Sequence, residues 1–282
     1  MSHLRIFAFA DEADASMSGQ VSAMVRNGLQ GLEIRGVDGE NISKITPHKA
    51  REVRRMLNDH GLSVWSMGSP IGKIRLDEDF EAHMDLFRYV VDLADIMGVS
   101  NIRMFSFYTQ QHEGVRNQII DRLARMLQEC EGTGISLCHE NEKGIYGDTA
   151  DHCVELLQAL PQLHAVFDPA NFVQCGEDTL RAWALLKDRV KYLHIKDALP
   201  DGSVVPAGKG EGNIPYIVKD YIARGGREMT LEPHLAVFEG LKGLEESGDV
   251  SVVGQRYTFA SAEAAFDAGC DALKAILQEV TA

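Results

Sequence analysis

The chain has 282 residues, 45% of them hydrophobic and 25% charged, and its 28 basic and 42 acidic residues leave a formal charge of −14. That composition is globular and supplies a large core, while the negative field opposes a nucleic-acid backbone or an anionic membrane as partner. No apolar run approaches the roughly 20 residues that span a bilayer, and Asp11 and Glu12 interrupt the short run IFAFA, so neither a membrane span nor a signal peptide is expected. Five scattered cysteines (Cys130, Cys138, Cys153, Cys175 and Cys270) form no CxxC pair. Their odd number points to reduced thiols in a cytoplasmic protein. Cys138, two residues before Glu140, reads as a small packing residue rather than a nucleophile.

Eight strand-like runs follow in chain order: RIFAFADE from Arg5, GLEIRG from Gly31, SVWSMGSP from Ser63, NIRMFSF from Asn101, ISLCHEN from Ile135, HAVFDPAN from His164, VKYLHIKD from Val190 and EMTLEPH from Glu228. Helical patterns lie between them. Thr46 as N-cap and Pro47 at the first helical position open HKAREVRRMLNDH, which Gly61 closes. DFEAHMDLFRYVVDLADIM has apolar residues three and four apart and stops at Gly98. Thr149 caps ADHCVELLQAL, and an amphipathic stretch from Ser261 to about Val280 ends the chain. Strand and helix alternate without a Pro- or Gly-rich linker, which predicts one α/β domain over 1–282 with a parallel sheet. Eight units close a (β/α)8 TIM barrel, and an open doubly wound sheet is the alternative. The stretch at 235–260 exceeds a simple connection after strand eight; with Phe238, Tyr257 and Phe259 it is a candidate lid.

In such a barrel the active site forms at the C-terminal strand ends. Glu140, Asp168, His194 and Glu232 fall one each near the ends of four successive runs. Any one of them is ordinarily a buried polar group in a local hydrogen bond. Four at equivalent strand ends imply that those ends converge. Three carboxylates and an imidazole suit one divalent ion, Mn²⁺, Zn²⁺ or Co²⁺ best, with Mg²⁺ compatible. An ion chelated by a substrate carbonyl and the neighbouring hydroxyl acidifies the adjacent C–H and stabilises an enediolate. No second carboxylate cluster for another ion is legible. His139 and Glu140 do not start an HExxH motif, since Lys143 stands four residues after His139. GKGEG at 208–212 matches no nucleotide-binding pattern and reads as a flexible turn or an anion cradle built of backbone amides.

The motifs LCHENEKG around Glu140, VFDPAN around Asp168, YLHIKD around His194 followed by GKGEGNIPY, and LEPHL around Glu232 resemble the xylose isomerase-like TIM-barrel superfamily. They are most similar to its sugar phosphate isomerase/epimerase branch, which includes the D-tagatose 3-epimerase-type enzymes. The resemblance implies a single ion on Glu140, Asp168, His194 and Glu232. It also implies that Glu140 and Glu232 act as acid and base on opposite faces of the reacting carbon of a small sugar or sugar derivative. One position departs from the pattern: Asn171 stands where that branch usually has a His, and Asn cannot carry a proton near neutral pH. Lys196 shares the strand face of His194 and is expected either to orient a substrate oxygen or to form an internal salt bridge. Arg35, Lys143 and His234 complete the candidate substrate contacts. Homo-oligomers are common in the resembling family.

The isomerase or epimerase reading has rivals. Asn171 keeps open a metal-dependent lyase or dehydratase on a keto-sugar, keto-glycoside or inositol derivative, which shares the enediolate step. An endonuclease IV-like enzyme would need more histidines at strand ends and a basic groove. A non-catalytic sugar-binding barrel is the alternative of another class.

Overall fold

The computed structural model describes residues 4–109, 113–237 and 257–281. Eight parallel strands form a closed barrel. They are β1 (Arg5–Ala8), β2 (Gly31–Ile34), β3 (Ser63–Gly68), β4 (Asn101–Met104), β5 (Ser136–Glu140), β6 (His164–Phe167), β7 (Val190–Ile195) and β8 (Glu228–Leu231). Each pairs with the next, and β1 pairs with β8 with Arg5 opposite Glu228 and Ala8 opposite Leu231, which closes the ring. The fold is therefore the (β/α)8 TIM barrel expected from the eight runs, and the open doubly wound sheet is excluded by that closing pair.

The surrounding helices are α1 (Met17–Asn27), α2 (Pro47–Asp59), α3 (Phe80–Met97), α4 (Val115–Glu129), α5 (Ala150–Ala159), α6 (Pro169–Gln174), α7 (Thr179–Leu186), α8 (Ile214–Ala223) and α9 (Ala262–Thr281). Their starts are local chemistry. Thr46 Oγ1 accepts from Lys49 N ahead of Pro47, and Thr149 Oγ1 accepts from His152 N, so each satisfies an amide with no intrahelical partner. Gly98 closes α3 at φ +72, a left-handed position that a side chain resists. Of the lid candidates, Phe238 lies outside the described residues. Tyr257 stacks on Phe259 at 6.5 Å, and Phe259 packs against Val204, Leu235 and Ala265.

Strand alternation sorts the side chains into two environments. On β7, Leu193 and Ile195 join the large apolar core, while Tyr192 and His194 take the other face. On β2, Leu32 and Ile34 belong to that core, while Glu33 meets Tyr192 of β7 and Arg35, just after β2, meets Glu232, just after β8. Lower in the barrel the same face is apolar. Cys138, Val166 and Tyr192 pack together with Trp65, and Phe7 stacks on Trp65 at 5.4 Å. The barrel is thus plugged by side chains at one level and polar at the next, toward the C-terminal strand ends. Cys138 is a packing residue: burial pushes its thiol up to about 12, far from a reactive thiolate.

Candidate metal centre

Glu140, Asp168, His194 and Glu232 meet at the C-terminal ends of β5 to β8. One ligand atom from each lies within 4.8 Å of all the others, and every one of the four residues is buried. They are held by groups that already have a structural task. Asp168 follows β6 directly and is the N-cap of α6, its Oδ1 accepting from Asn171 N at 3.0 Å. Its backbone is clamped by Asn141, whose amide donates to Asp168 O and accepts from Asp168 N, both at 2.9 Å. Asp168 Oδ2 is buried and faces Lys196 Nζ, its ion partner at 2.8 Å.

His194 sits between carboxylates. Its Nδ1 is 3.1 Å from Glu140 Oε1 and 3.3 Å from Glu232 Oε2, and its Nε2 is 3.0 Å from Glu33 Oε2. Burial alone would lower its pKa, but Glu140 and Glu33 outweigh burial and raise it well above the ordinary histidine value. Burial pushes Asp168 up to about 6, against the pull of Lys196. For Glu232 burial also raises the pKa, yet Lys196 and His234 prevail and hold it well below the carboxylate range. Lys196 is 3.4 Å from Glu232 Oε2, and Asp168 and Glu232 overcome burial to keep it protonated. The Lys196 ammonium and the His194 imidazolium thus supply part of the positive charge that faces these carboxylates, beside Arg35 on Glu232 and Arg103 on Glu140.

The donor set fits a divalent ion. Bonds of about 2.0–2.2 Å place opposed ligands roughly 4 Å apart, so the group needs little contraction. Three buried carboxylates and an imidazole nitrogen converging on one point are the chemistry of such a site. Glu140, Asp168 and Glu232 would coordinate through oxygen and His194 through Nδ1.

The substrate-binding candidates divide. Asn171 is inside the site: its Nδ2 donates to Asn141 O at 2.9 Å and to Glu140 Oε1 at 3.3 Å. Lys196 is inside as well, in the ion pairs above. Arg35 pairs with acids of the site. It is 3% exposed and holds Glu232 Oε1 at 3.0 Å, Glu12 Oε1 at 3.2 Å and Asp11 Oδ2 at 2.9 Å. His234 Nε2 is 3.2 Å from Glu232 Oε1, and its backbone adopts φ +46 with its N–H donating to Glu12 Oε2 at 2.7 Å. Lys143 lies outside the four-donor group and donates to Gln174 Oε1 at 2.7 Å.

Two expectations need correction. The structure does assemble a second acid–imidazole group, Glu12, Glu232 and His234, all buried and sharing Glu232 with the first. It escaped the sequence because Glu12 and His234 come together only where β1 closes against β8. Arg35 pairs with both carboxylates of this group, with Glu12 Oε1 at 3.2 Å and Glu232 Oε1 at 3.0 Å. The GKGEG segment cradles an anion, but that anion is internal: Asp197 accepts from Gly208, Gly210 and Gly212 N at 2.8, 3.0 and 2.9 Å. A Cβ at Gly210 would stand 2.4 Å from Asp197 Oδ1, which is why the loop is glycine-rich.

Sequence reasoning missed Glu33 and Arg103. Glu33 is fully buried, and Arg103 Nε is 3.1 Å from Glu140 Oε2 and 3.7 Å from Glu33 Oε1. A signal was present: GLEIRG and NIRM place charges between apolar residues in strands buried on both faces, where an ion must find a partner. Gly68 makes room for this cluster, since a Cβ there would meet Phe9 at 2.6 Å and Arg35 at 3.1 Å.

The model of the xylose isomerase-like TIM barrel family matches residues 21–237. The chain belongs to that family. Solved structures with the same fold include D-allulose 3-epimerase from Methylomonas sp. in complex with D-allulose, at TM-score 0.75 and 16% identity, covering 98% of this chain and 97% of that one. The probable 3-DHS dehydratase AsbF from Bacillus anthracis superposes at TM-score 0.74 with 16% identity, over 96% of this chain and 98% of its own. The IOLI protein with a bound zinc atom gives TM-score 0.74 and 13% identity over 98% and 99%. Among curated proteins none matches the chain.

Proposed function

We propose that this barrel is a divalent-metal-dependent isomerase or epimerase that moves a proton next to the carbonyl of a small sugar or sugar derivative. The observation that carries the reading is the convergence of Glu140, Asp168, His194 and Glu232 on one buried point. When bound, the ion supplies Lewis acidity to a substrate carbonyl and its neighbouring hydroxyl. Glu140 and Glu232 come from β5 and the residue after β8 and flank His194 on separate oxygens. One, as the carboxylate, would remove a proton from the substrate carbon, and the other, protonated when the sugar binds, would deliver a different proton to the opposite face. Arg35 and His234 hold Glu232 Oε1, and Arg103 holds Glu140 Oε2, so each carboxylate keeps a fixed orientation. Lys196 and Asn171, which touch Asp168 and Glu140, would hydrogen-bond substrate oxygens.

Metal-binding and sugar-binding relatives of the same fold support this reading, among them the zinc-bound protein and the D-allulose complex. A second reading, a lyase or dehydratase, is favoured by two residues. Asn171 cannot relay a proton, and the buried Lys196 ammonium would be the acid for a departing hydroxyl; the dehydratase relative shares the fold. All five cysteines are free, consistent with a cytoplasmic location. Among the described residues no helix is long and apolar enough to cross a membrane.

The test is solvent exchange. Protein reconstituted with Mn²⁺ is incubated in deuterium oxide with a panel of ketoses and keto-glycosides. Deuterium at the carbon next to the carbonyl in recovered substrate and its epimer supports the proposal. Loss of water or of an aglycone supports the lyase, and absence of exchange from every substrate, with metal bound, supports a binding protein.

A further inference from the structure

We infer that Glu33 is a positioning residue for His194, fixing the imidazole so that Nδ1 faces the cation site while Nε2 carries the proton. The inference rests on the metal-dependent reading above. The two ring nitrogens face different carboxylates. Nδ1 points at Glu140 and Glu232, which belong to the donor group, and Nε2 is 3.0 Å from Glu33 Oε2, which contributes no atom to that group. An imidazole that ligates through one nitrogen carries its proton on the other. A carboxylate accepting that proton's hydrogen bond fixes the tautomer and the ring plane and makes the ligating nitrogen a better donor.

Glu33 is built for this task rather than for contact with substrate. Its side chain and that of His194 are both 0% exposed. Its second oxygen accepts from Tyr192 OH at 2.8 Å, and Tyr192 OH lies 3.1 Å from Ser66 Oγ. Arg103 Nε, 3.7 Å away, balances its charge and reaches Glu140 as well. Phe9 closes the ring's flank edge-on at 5.3 Å. The chain from Ser66 through Tyr192 and Glu33 to His194 thus runs from the apolar plug up to the donor group, and every member is buried.

Three variants of the full chain test the inference. Glu33→Gln keeps the shape but removes the charge, and its amide can donate to Nε2 and favour the proton on Nδ1. Glu33→Ala removes the acceptor, and Tyr192→Phe frees one oxygen of Glu33. Dissociation constants for Mn²⁺ and Co²⁺ are measured by calorimetry, the Co²⁺ d–d absorption spectrum is recorded, and thermal unfolding is followed in parallel. Glu33→Gln and Glu33→Ala are expected to weaken metal binding by about 10–100-fold and to alter the cobalt spectrum, with a smaller change for Tyr192→Phe. Wild-type affinity and spectrum in Glu33→Gln would overturn the inference even if the melting temperature fell, because a merely structural carboxylate changes stability alone. If the Glu33 variants do not fold, an unchanged cobalt spectrum and affinity in Tyr192→Phe overturns it. Wild-type protein that binds neither ion would remove the metal reading itself, a failure distinct from unaltered binding in the variants.

Discussion

Replacing Lys196 with Met tests whether an ammonium stands in for missing positive charge at the centre. Lys196 Nζ is 2.8 Å from Asp168 Oδ2 and 3.4 Å from Glu232 Oε2. At an effective dielectric of about 20 these separations correspond to attractions of about 6 and about 5 kcal/mol. Desolvation of the ammonium offsets much of that, and removing one partner of a buried pair costs about 3–5 kcal/mol net. The loss is limited by protonation of Asp168, which burial has already pushed to about 6. Protonating it is easier at pH 6 than at pH 8, so the deficit must grow as pH rises. With chelator at pH 8, Lys196→Met is expected to melt about 6–10 °C below wild type, at about 2 °C per kcal/mol for a chain of this size. Saturating Mn²⁺ should narrow that gap, and the variant should bind Mn²⁺ more tightly than wild type because a competing cation is gone. Circular dichroism melts at pH 6 and pH 8, with chelator and with Mn²⁺, read all of these quantities. An unchanged melting temperature in chelator at pH 8 would refute the reasoning.

Protons should leave as metal enters. Burial disfavours the charged imidazole, but Glu140 and Glu33 hold His194 protonated in the metal-free chain, so affinity should rise about tenfold per pH unit until pH passes its raised pKa, measurable by titration in buffers of different ionisation enthalpy. The same raised pKa stabilises the metal-free fold fully below the unfolded value of about 6.5 and is lost as pH climbs through the folded value. Chelated protein should therefore lose stability on the alkaline side, and urea melts across pH will show whether it does. Glu140→Gln and Glu232→Gln should each lower turnover by about 10²–10⁴, whereas Asn171→Ala should mainly change which sugar is preferred; near-full activity in Glu232→Gln would defeat the two-face mechanism. Asp197→Ala leaves three glycine amides unanswered and should cost about 2–4 kcal/mol of stability without altering metal stoichiometry.

The strands and their order were legible because each run is bounded by polar or glycine punctuation, and the helix starts at Thr46 and Thr149 follow from side chains that bond their own backbone. The four donors were legible because each ends a strand in the second half of the barrel, where consecutive runs are also neighbours in space. What connects distant segments was not. Glu12 meets His234 only through closure of β1 on β8, and the Asp197 cradle requires a loop to fold back on the strand that precedes it. Arg35 was legible as a candidate substrate contact, but strand position gives direction and not depth; it is buried and ties Glu232 to Glu12. Glu33 was overlooked within a short apolar strand, although a lone charge there demands a buried partner, and His194 is that partner.

The central claim is that one divalent ion belongs to Glu140, Asp168, His194 and Glu232. Elemental analysis of purified wild-type protein, beside the double variant Asp168→Ala, His194→Ala, tests it most directly. About one ion per chain is expected in wild type and none in the variant. Wild-type protein that holds no ion after incubation with Mn²⁺, Zn²⁺ and Co²⁺, or a variant that holds as much as wild type, would contradict it.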